Sequence, residues 1–405
     1  MSRKMVWAAV AIGAVGILAR CDQGISLLAP GRSQPLNADL VAEGQRIYRF
    51  DTFGDEVFWT DTARLHEVIS SSVSPEVALA VGLKVDADTL PASVKAALQA
   101  GQLDLASPAT TVALLKLGAV VGVVGTVQTI GGRDTLTRVG ITCALCHSTV
   151  DNSFAPGIGR RLDGWANRDL NVGAIIALSP AIPPAQKMVY NSWGKGKYDP
   201  RFNFDGINLP VVIPAAFGLR AVRKEIYTGD DTISYWNKYV AVTQMHGQGS
   251  FVDPRLNINL VRTPDLVQPK LAALREYQHS LETPAAPAGS FDRTAAQRGR
   301  GVFMGVARCA SCHIPRLAFS DINLNRLHDA TETGMEPAYA ERSFTKRYRT
   351  TPLRGLWRPP MLQGPYFHDG SAATLEEVVV HYNRVLQLNL TARQRSDLVE
   401  YLKSL

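Results

Sequence analysis

The chain has 405 residues, of which 46% are hydrophobic, and a formal net charge of +7 with a pI near 9.2. This length is sufficient for two packed domains, and the composition excludes wholesale disorder. The basic residues are scattered and form no Lys/Arg-rich run or recognition motif, so we expect no nucleic acid partner. The cationic surplus favours anionic groups or an acidic partner instead.

The first 21 residues have the layout of an export signal. Arg3 and Lys4 precede an apolar run over residues 5–18 that is too short to span a membrane comfortably. Cys21 resembles a lipoprotein processing site, except that Arg20 stands where a small residue is expected. We therefore predict a periplasmic protein. Whether Cys21 carries a lipid that tethers the chain to a membrane, or is an unmodified thiol, stays open.

Residues 38–70 predict a helix, a turn near Gly54 and a second helix. His66 lies in the second helix and is the only histidine before residue 143. It is a candidate metal ligand, although a lone histidine on an amphipathic helix is more often a packed residue.

A β-hairpin is predicted directly before residue 143. Residues 117–128 are rich in Val and Gly, two glycines follow at 131–132, and residues 134–142 predict the second strand. A membrane span over residues 112–127 is the alternative, but Lys116 and the glycines favour a buried strand pair. Before the hairpin, residues 91–100 predict a helix that ends at Gly101.

Two Cys-x-x-Cys-His motifs dominate the sequence, at residues 143–147 and 309–313. On one helical turn the two thiols and the imidazole lie together. Thiols at this spacing can form thioether bonds to a porphyrin edge, and the adjacent histidine then reaches the iron. The motif residues are Cys143, Cys146 and His147 in the first motif and Cys309, Cys312 and His313 in the second.

A structural zinc site is the alternative interpretation of the motifs. Zinc ribbons place their cysteine pairs about 15 to 20 residues apart, whereas these pairs are far more distant, and zinc gives no reason for a histidine after each pair. Four of the five cysteines lie in the motifs, which argues against a disulfide framework. The sequence therefore predicts two covalent haem c groups, with His147 and His313 as proximal iron ligands.

The segment after the first motif predicts little regular structure. Residues 150–225 are rich in Pro and Gly and can wrap a cofactor. Residues 226–249 predict a turn and a helix that ends near Met245. The thioether of Met245 and the adjacent imidazole of His246 are the best candidates for the far side of the first haem, and packing of Met245 in the core is the alternative.

The predicted fold is mainly α, with two cytochrome c-like domains that carry one covalent haem each and a small β-hairpin in the first domain. Residues 283–290 (TPAAPAGS) predict the linker, so the domains are 22–282 and 291–405 after the signal 1–21. The last helix is predicted to begin after Thr391 with a capping box.

Two stretches in the second domain carry a family resemblance. Residues 350–357 (TTPLRGLW) and 364–383 (GPYFHDGSAATLEEVVVHYN) resemble the bacterial di-haem cytochrome c peroxidase family and its MauG-type relatives. That family has Thr-Pro-x-Leu-Arg, Pro-Tyr-hydrophobic-His-Asp/Asn-Gly-Ser and Leu-Glu-Glu motifs in this order. Domain order and total length agree with that family more loosely, and residues 22–135 show no resemblance to it.

The resemblance implies that electrons enter at the C-terminal haem and that peroxide reacts at the N-terminal haem. It also implies a distal ligand of the C-terminal haem at Tyr382, where peroxidases have Met and MauG-type proteins have Tyr. His381 and Met361 compete with Tyr382 for this role. A tyrosinate ligand would keep the reduction potential of the haem low and favour high-valent iron, whereas a Met ligand would raise this potential and favour electron transfer.

The resemblance further implies a Glu that acts as general acid and base on the helix after a Trp-Asp-Gly-like turn. Here that helix has Tyr235 and Trp236 where the Glu is expected, so the candidate substitutes are Asp230 and Asp231.

The sequence also predicts the surroundings of three more side chains in the second domain. His368 is expected to pack against the second haem, and Arg354 to pair with a haem propionate or to lie at the surface. His328 is expected to be an ordinary surface residue.

Three functions are consistent with these features. The first is a periplasmic oxidoreductase that reduces hydrogen peroxide at the N-terminal haem. The second is a non-enzymatic electron-transfer relay with both irons six-coordinate, and the third is a MauG-like oxidase that uses high-valent iron. The expected partners are a periplasmic electron donor or acceptor, such as a small cytochrome or a cupredoxin, and hydrogen peroxide.

Overall fold

The structure is a computed structural model that describes residues 35–357 and 365–405. Residues 36–405 form one compact unit. The predicted export signal, Cys21 and Met361 lie outside the described residues. None of the described helices combines the length and the apolar character that a membrane crossing requires.

Four helices form two crossing pairs that organise the fold. They are α1 (Ala38–Phe50), α2 (Leu271–Ser280), α3 (Arg293–Met304) and α4 (Ala392–Lys403). The other α-helices are Leu65–Ser72, Pro75–Ala80, Ala92–Gln99, Pro108–Lys116, Ala144–His147, Val172–Ala177, Pro184–Asn191, Phe202–Asp205, Ile233–Tyr239, Ala330–Thr333, Ala338–Glu341 and Leu375–Val385. Single π-helical turns span Val57–Thr62 and Val240–Gln244. Short 3₁₀ turns span Ala87–Thr89, Leu219–Ala221, Pro254–Leu256, Gln268–Lys270, Cys309–Ser311, Pro315–Leu317 and Asp321–Leu324.

The strands form small two-stranded sheets. The longest sheet is the antiparallel pair β1 (Val123–Ile130) and β2 (Arg133–Ile141). Three more antiparallel pairs join Ser148–Val150 to Arg161–Asp163, Lys197–Tyr198 to Val211–Val212, and Phe251–Asp253 to Ile258–Leu260, and a parallel pair joins Val85–Asp86 to Ile158–Gly159. Among the residues that the structure describes, helices account for 44% and strands for 12%. The mainly α prediction is thus confirmed only in part, because several small sheets accompany the predicted hairpin.

The predicted hairpin is confirmed, and it positions the first motif. Gly131 and Gly132 both have positive φ in its turn, a conformation that glycine adopts without steric cost. Strand β2 ends two residues before Cys143. A Cβ at Gly122 would lie 2.2 Å from the backbone of Leu145, so the base of the hairpin packs directly on the motif helix.

The first crossing pair, α1 and α2, closes the half of the chain that carries the first motif. A Cβ at Gly44 would lie 2.0 Å from the carbonyl oxygen of Ala273, so the two backbones are in contact. One turn further along α1, the rings of Tyr48 and Tyr277 meet edge to face, with centroids 5.3 Å apart. Both tyrosines belong to the hydrophobic cluster that also buries Ala144 of the motif helix.

The second crossing pair, α3 and α4, repeats this arrangement beside the second motif. A Cβ at Gly299 would lie 1.9 Å from the carbonyl oxygen of Asp397. The rings of Phe303 and Tyr401 meet edge to face at 5.1 Å. Cys309 packs against the cluster that contains both rings.

The repetition extends to the amino-acid sequence. Helices α1 and α3 share the pattern Gly-x-x-x-aromatic, at residues 44–48 and 299–303. The chain reads Leu-x-Glu-Tyr-x-x-Ser-Leu at residues 274–281 and again at 398–405. Each Cys-x-x-Cys-His motif is therefore enclosed by a helix pair of the same construction. Residues 283–287 between the repeats contain no helix or strand, and the domain boundary there stays a prediction.

Two predicted helix ends are confirmed by their capping. At the start of α4, Thr391 accepts a hydrogen bond from the backbone of Gln394, and the Gln394 side chain accepts one from the backbone of Thr391. The helix Ala92–Gln99 ends just before Gly101, which has positive φ.

Candidate haem sites

The first motif forms a short helix, Ala144–His147, directly after the hairpin. The His147 Nδ1 atom lies 3.1 Å from the carbonyl oxygen of Pro214. Burial lowers the pKa of His147 to about 4, so the ring is neutral and its Nδ1–H donates to this carbonyl. The Nε2 atom therefore keeps its lone pair, as an iron ligand requires.

The second motif shows the same histidine geometry. The His313 Nδ1 atom lies 3.0 Å from the carbonyl oxygen of Phe319, six residues along the chain. Burial lowers the pKa of His313 as well, so the ring is neutral and its Nδ1–H donates to the Phe319 carbonyl. Two histidines on different segments are thus held in one tautomer by a backbone carbonyl.

None of the four motif cysteines forms a disulfide. Burial raises the pKa of Cys143 and Cys146 to about 12 and that of Cys309 to about 11. Cys143 packs against one hydrophobic cluster and Cys309 against a different one, so the two cysteine pairs lie in separate surroundings, as two independent sites require.

A cavity of about 330 Å³ opens beside the second motif. Its wall brings together every described residue that the sequence assigns to the second haem except His381. These residues are Cys309, Cys312, His313, Arg354, His368 and Tyr382. Most of the remaining wall is aliphatic or aromatic, as a porphyrin face requires.

Tyr382 lies on the helix Leu375–Val385, whose sequence carried the family resemblance. Burial, with a smaller contribution from Cys309 and Cys312, raises the pKa of Tyr382 to about 12. On the same helix, the Nε2 atom of His381 donates a hydrogen bond to the carbonyl oxygen of Thr333 at 2.8 Å. Of the two described distal candidates for the second haem, only Tyr382 therefore lines the cavity.

Arg354 and His368 occupy different parts of the cavity wall. The Nη2 atom of Arg354 is buried and makes no hydrogen bond, although such a group is costly without a partner. A haem propionate would satisfy it. His368 is 3% exposed, and its Nε2 atom lies 3.0 Å from the hydroxyl of Tyr348. These contacts fit an anionic porphyrin in the cavity.

Two groups in the wall were not identified from the sequence. Glu225 and Arg349 line the cavity as an ion pair, with the Arg349 Nη1 atom 3.2 Å from a carboxylate oxygen of Glu225. The two residues are far apart in the chain, so no local pattern could pair them. In the sequence, the one indication that Arg349 lies near the second site is its position just before the Thr-Thr-Pro-Leu-Arg stretch.

The expectation that His328 is an ordinary surface residue is wrong. Its side chain is 15% exposed and lines the cavity. Nε2 lies 3.0 Å from Asp321 and Nδ1 lies 2.9 Å from Glu332. A hydrogen bond with Cys312, together with Glu332, raises the pKa of His328 to about 10. The two carboxylates lie before and after His328 in the chain, and folding brings both onto one ring.

The candidates for the far side of the first haem lie on two helical segments. Met245 follows the π turn Val240–Gln244 and is buried in the cluster that contains Ala144. Its carbonyl accepts a hydrogen bond from Trp59 at 3.1 Å. His66 lies at the start of the helix Leu65–Ser72, where its Nδ1 atom is buried without a hydrogen bond. The choice between them stays a prediction.

The two acid–base candidates are engaged in other contacts. Asp230 is buried in an ion pair with Arg201 at 2.8 Å, and its other oxygen accepts a hydrogen bond from Thr345. Asp231 is partly exposed, accepts a hydrogen bond from its neighbour Thr232 and lies 3.8 Å from Arg255. Neither aspartate lines the cavity beside the second motif, and their catalytic role stays a prediction.

A single segment touches both sites. The carbonyl of Pro214 accepts the hydrogen bond from His147, while Pro214, Ala215 and Phe217 line the cavity of the second motif. The ring of Phe217 also packs edge to face on the ring of Trp165, with the two centroids 5.0 Å apart. His147 of the first motif is thus one hydrogen bond away from the wall of the cavity beside the second motif.

Two curated proteins match parts of the chain in amino-acid sequence. No family profile matches the chain. The chain is 31% identical over 159 residues to the methylamine utilization protein MauG of Methylorubrum extorquens, a match that covers 33% of this chain and 43% of MauG. It is 28% identical over 183 residues to the cytochrome-c peroxidase IdrP1 of Denitromonas iodatirespirans, with 33% of this chain and 48% of that protein covered. The matches span about half the length of these curated relatives or less.

These relatives confirm the resemblance to the di-haem cytochrome c peroxidase and MauG superfamily. Among solved structures, the chain is similar to hydrazine synthase of Kuenenia stuttgartiensis, with a TM-score of 0.34 and 21% identity over 48% of this chain and 72% of that chain.

Proposed function

We propose that this protein is a c-type cytochrome that carries two covalent haems and transfers electrons between them. The observation that carries the proposal is the duplicated site, in which each Cys-x-x-Cys-His motif has a neutral histidine held through Nδ1 by a backbone carbonyl. Cys143 and Cys146 would hold the first haem and Cys309 and Cys312 the second. Bound haem supplies one-electron chemistry at its iron.

The path between the sites supports electron transfer. Residues 214–217 contact the imidazole of His147 on one side and line the second cavity on the other. This segment would separate the two haems by packed protein without intervening solvent. Its aromatic neighbours Trp165 and Phe217 add polarisable side chains to the same region.

For the reaction, we propose reduction of hydrogen peroxide at the first haem, with electrons entering at the second. The relative named as a cytochrome-c peroxidase supports a peroxidase activity. The chain would have to supply a proton acceptor for the peroxide, and Asp230 and Asp231 are the candidates. We also propose a periplasmic location, with a small cytochrome or a cupredoxin as electron partner.

Two observations favour the other candidate functions. The buried ion pair with Arg201 engages Asp230, one of the two acid–base candidates, which favours a relay without catalysis. The position of Tyr382 in the wall of the second cavity favours a MauG-like oxidase, because tyrosinate ligation stabilises oxidised iron.

Haem counting tests the central proposal. The purified protein should keep its pigment on a denaturing gel, and pyridine haemochrome analysis should give two haems per chain. Replacing both cysteines of one motif with serine should leave one haem, whichever motif is changed. Ser311→Ala, an exposed change within the second motif, is the matched control and should keep two. Loss of all pigment in acid–acetone would refute covalent attachment.

Electron paramagnetic resonance separates the proposed reactions. A high-spin haem that changes on addition of peroxide supports the peroxidase, and consumption of peroxide with a reduced cytochrome as donor should accompany it. Two low-spin haems that ignore peroxide in every oxidation state support the relay. The Asp230→Asn and Asp231→Asn variants then report whether either carboxylate contributes to turnover.

A further inference from the structure

Three charged side chains in the wall of the second cavity form a polar cluster that the proposed function does not yet use. They are Glu225, Arg349 and Arg354. The Arg349 and Glu225 side chains are 8% and 6% exposed. Arg349 donates from Nη1 to one oxygen of Glu225 at 3.2 Å and to the carbonyl of Lys224 at 2.6 Å. The carboxylate therefore has one oxygen committed to an arginine.

The other oxygen of the carboxylate is available. Oε1 of Glu225 is buried and makes no hydrogen bond, and the same holds for Nε of Arg349 and Nη2 of Arg354. Burial disfavours the carboxylate charge, whereas the two arginines favour it. Burial is the larger effect and raises the pKa of Glu225 to about 6. Glu225 is thus poised between its charged and neutral forms near neutral pH.

We propose that Glu225 takes up a proton from solvent when the haem of the second site accepts an electron. The inference rests on the proposed function, since it requires haem attached through Cys309 and Cys312. In the step, a one-electron donor reduces ferric iron to ferrous iron, and a solvent proton forms an O–H bond at Oε1 of Glu225. The net charge of the buried site is the same before and after.

The physical reason is electrostatic. An added electron makes the cavity more negative by one charge, and in a poorly solvated interior this raises the proton affinity of a nearby carboxylate. A propionate paired with Arg354 would withdraw part of the positive charge that now holds Glu225 ionised. The propionate would act in both oxidation states, so the added electron alone drives uptake of the proton on reduction.

The other ionisable groups in the wall do not compete near pH 6. The arginines stay protonated throughout. Burial raises the pKa of Tyr382 to about 12 and keeps His313 and His368 neutral. His328 contacts the carboxylates of Asp321 and Glu332, and both raise its pKa whether or not Cys312 is bound to haem. Further charged or titratable groups that face the cavity are Arg168, Tyr227, Arg308, Tyr348 and Tyr366.

The test is a spectroelectrochemical titration of the purified di-haem protein between pH 5 and pH 9. In the wild type, the reduction equilibrium constant of the second haem should fall above about pH 6, by up to tenfold per pH unit for one proton per electron. Glu225→Gln should remove this dependence and hold the constant near its low-pH value, because glutamine imitates the protonated acid. The exposed carboxylate of Glu341 provides the control, and Glu341→Gln should behave as wild type.

A second measurement guards against a Glu225→Gln protein that fails to fold. The reduced-minus-oxidised infrared difference spectrum of the wild type should contain a protonated carboxylic acid band, and Glu225→Asp should shift that band. An unchanged pH dependence in Glu225→Gln, or no acid band in the wild type, overturns the inference. Haem counting is performed first, so that absence of haem refutes the proposed function and is not mistaken for failure of this proposal.

Discussion

The crossing of α3 and α4 allows a sharp test of the fold beside the second motif. Gly299 lies where the helices touch, and a Cβ there would lie 1.9 Å from the carbonyl oxygen of Asp397. Contacts of a Cβ below 3.0 Å are essentially never observed, so Gly299→Ala must push the helices apart by about 1 Å. The obstructing atom is backbone and cannot rotate away.

The expected change in the free energy of unfolding combines two destabilising effects and one stabilising effect. Overpacking of this kind costs about 1–3 kcal/mol, and a rigid backbone obstacle places the cost at the upper end. Separation of the helices also weakens the contact between Phe303 and Tyr401. Alanine recovers about 1 kcal/mol of helix propensity over glycine. We therefore expect Gly299→Ala to lower the free energy of unfolding by about 2 kcal/mol.

Gly301 provides the matched control on the same helix. A Cβ at Gly301 meets no atom within 4 Å, so only the propensity effect remains and Gly301→Ala should stabilise by about 0.5–1 kcal/mol. Urea denaturation followed by circular dichroism measures both variants. If Gly299→Ala is as stable as Gly301→Ala, the two helices do not touch at this position and the packing argument is refuted.

Three further predictions concern the first half and the distal ligand. Gly44→Ala should destabilise the protein as Gly299→Ala does, because a Cβ there would lie 2.0 Å from a backbone oxygen of α2; equal stability of this variant and wild type would contradict the helix contact. Burial raises the pKa of Asp55 to about 9, above its unfolded value of about 3.9, so its contribution to stability is greatest below pH 4 and is lost as pH rises toward 9. Denaturation at several pH values should show this loss, and Asp55→Asn should abolish it. Tyr382→Phe should turn the second haem high-spin in electron paramagnetic resonance, and an unchanged low-spin signal would remove Tyr382 from the ligand candidates.

The features that the sequence alone determined are local. Two thiols and an imidazole within five residues define each Cys-x-x-Cys-His motif, because their spacing alone brings them together. The hairpin before Cys143 and the capping box at Thr391 were likewise predictable, since a turn or a cap depends on a few neighbouring residues. The repeated Gly-x-x-x-aromatic pattern is also present in the sequence. Only the structure shows that Gly44 and Gly299 each contact the backbone of a second helix.

The tertiary structure alone decided which side chains meet inside the protein. Asp230 is engaged by Arg201, and Glu225 is brought to Arg349 from a distant part of the chain. His328 likewise changes from an expected surface residue to part of a buried network with Asp321. Ionisation depends on burial and on charges within a few ångströms, and these distances are set by packing between segments that are remote in sequence.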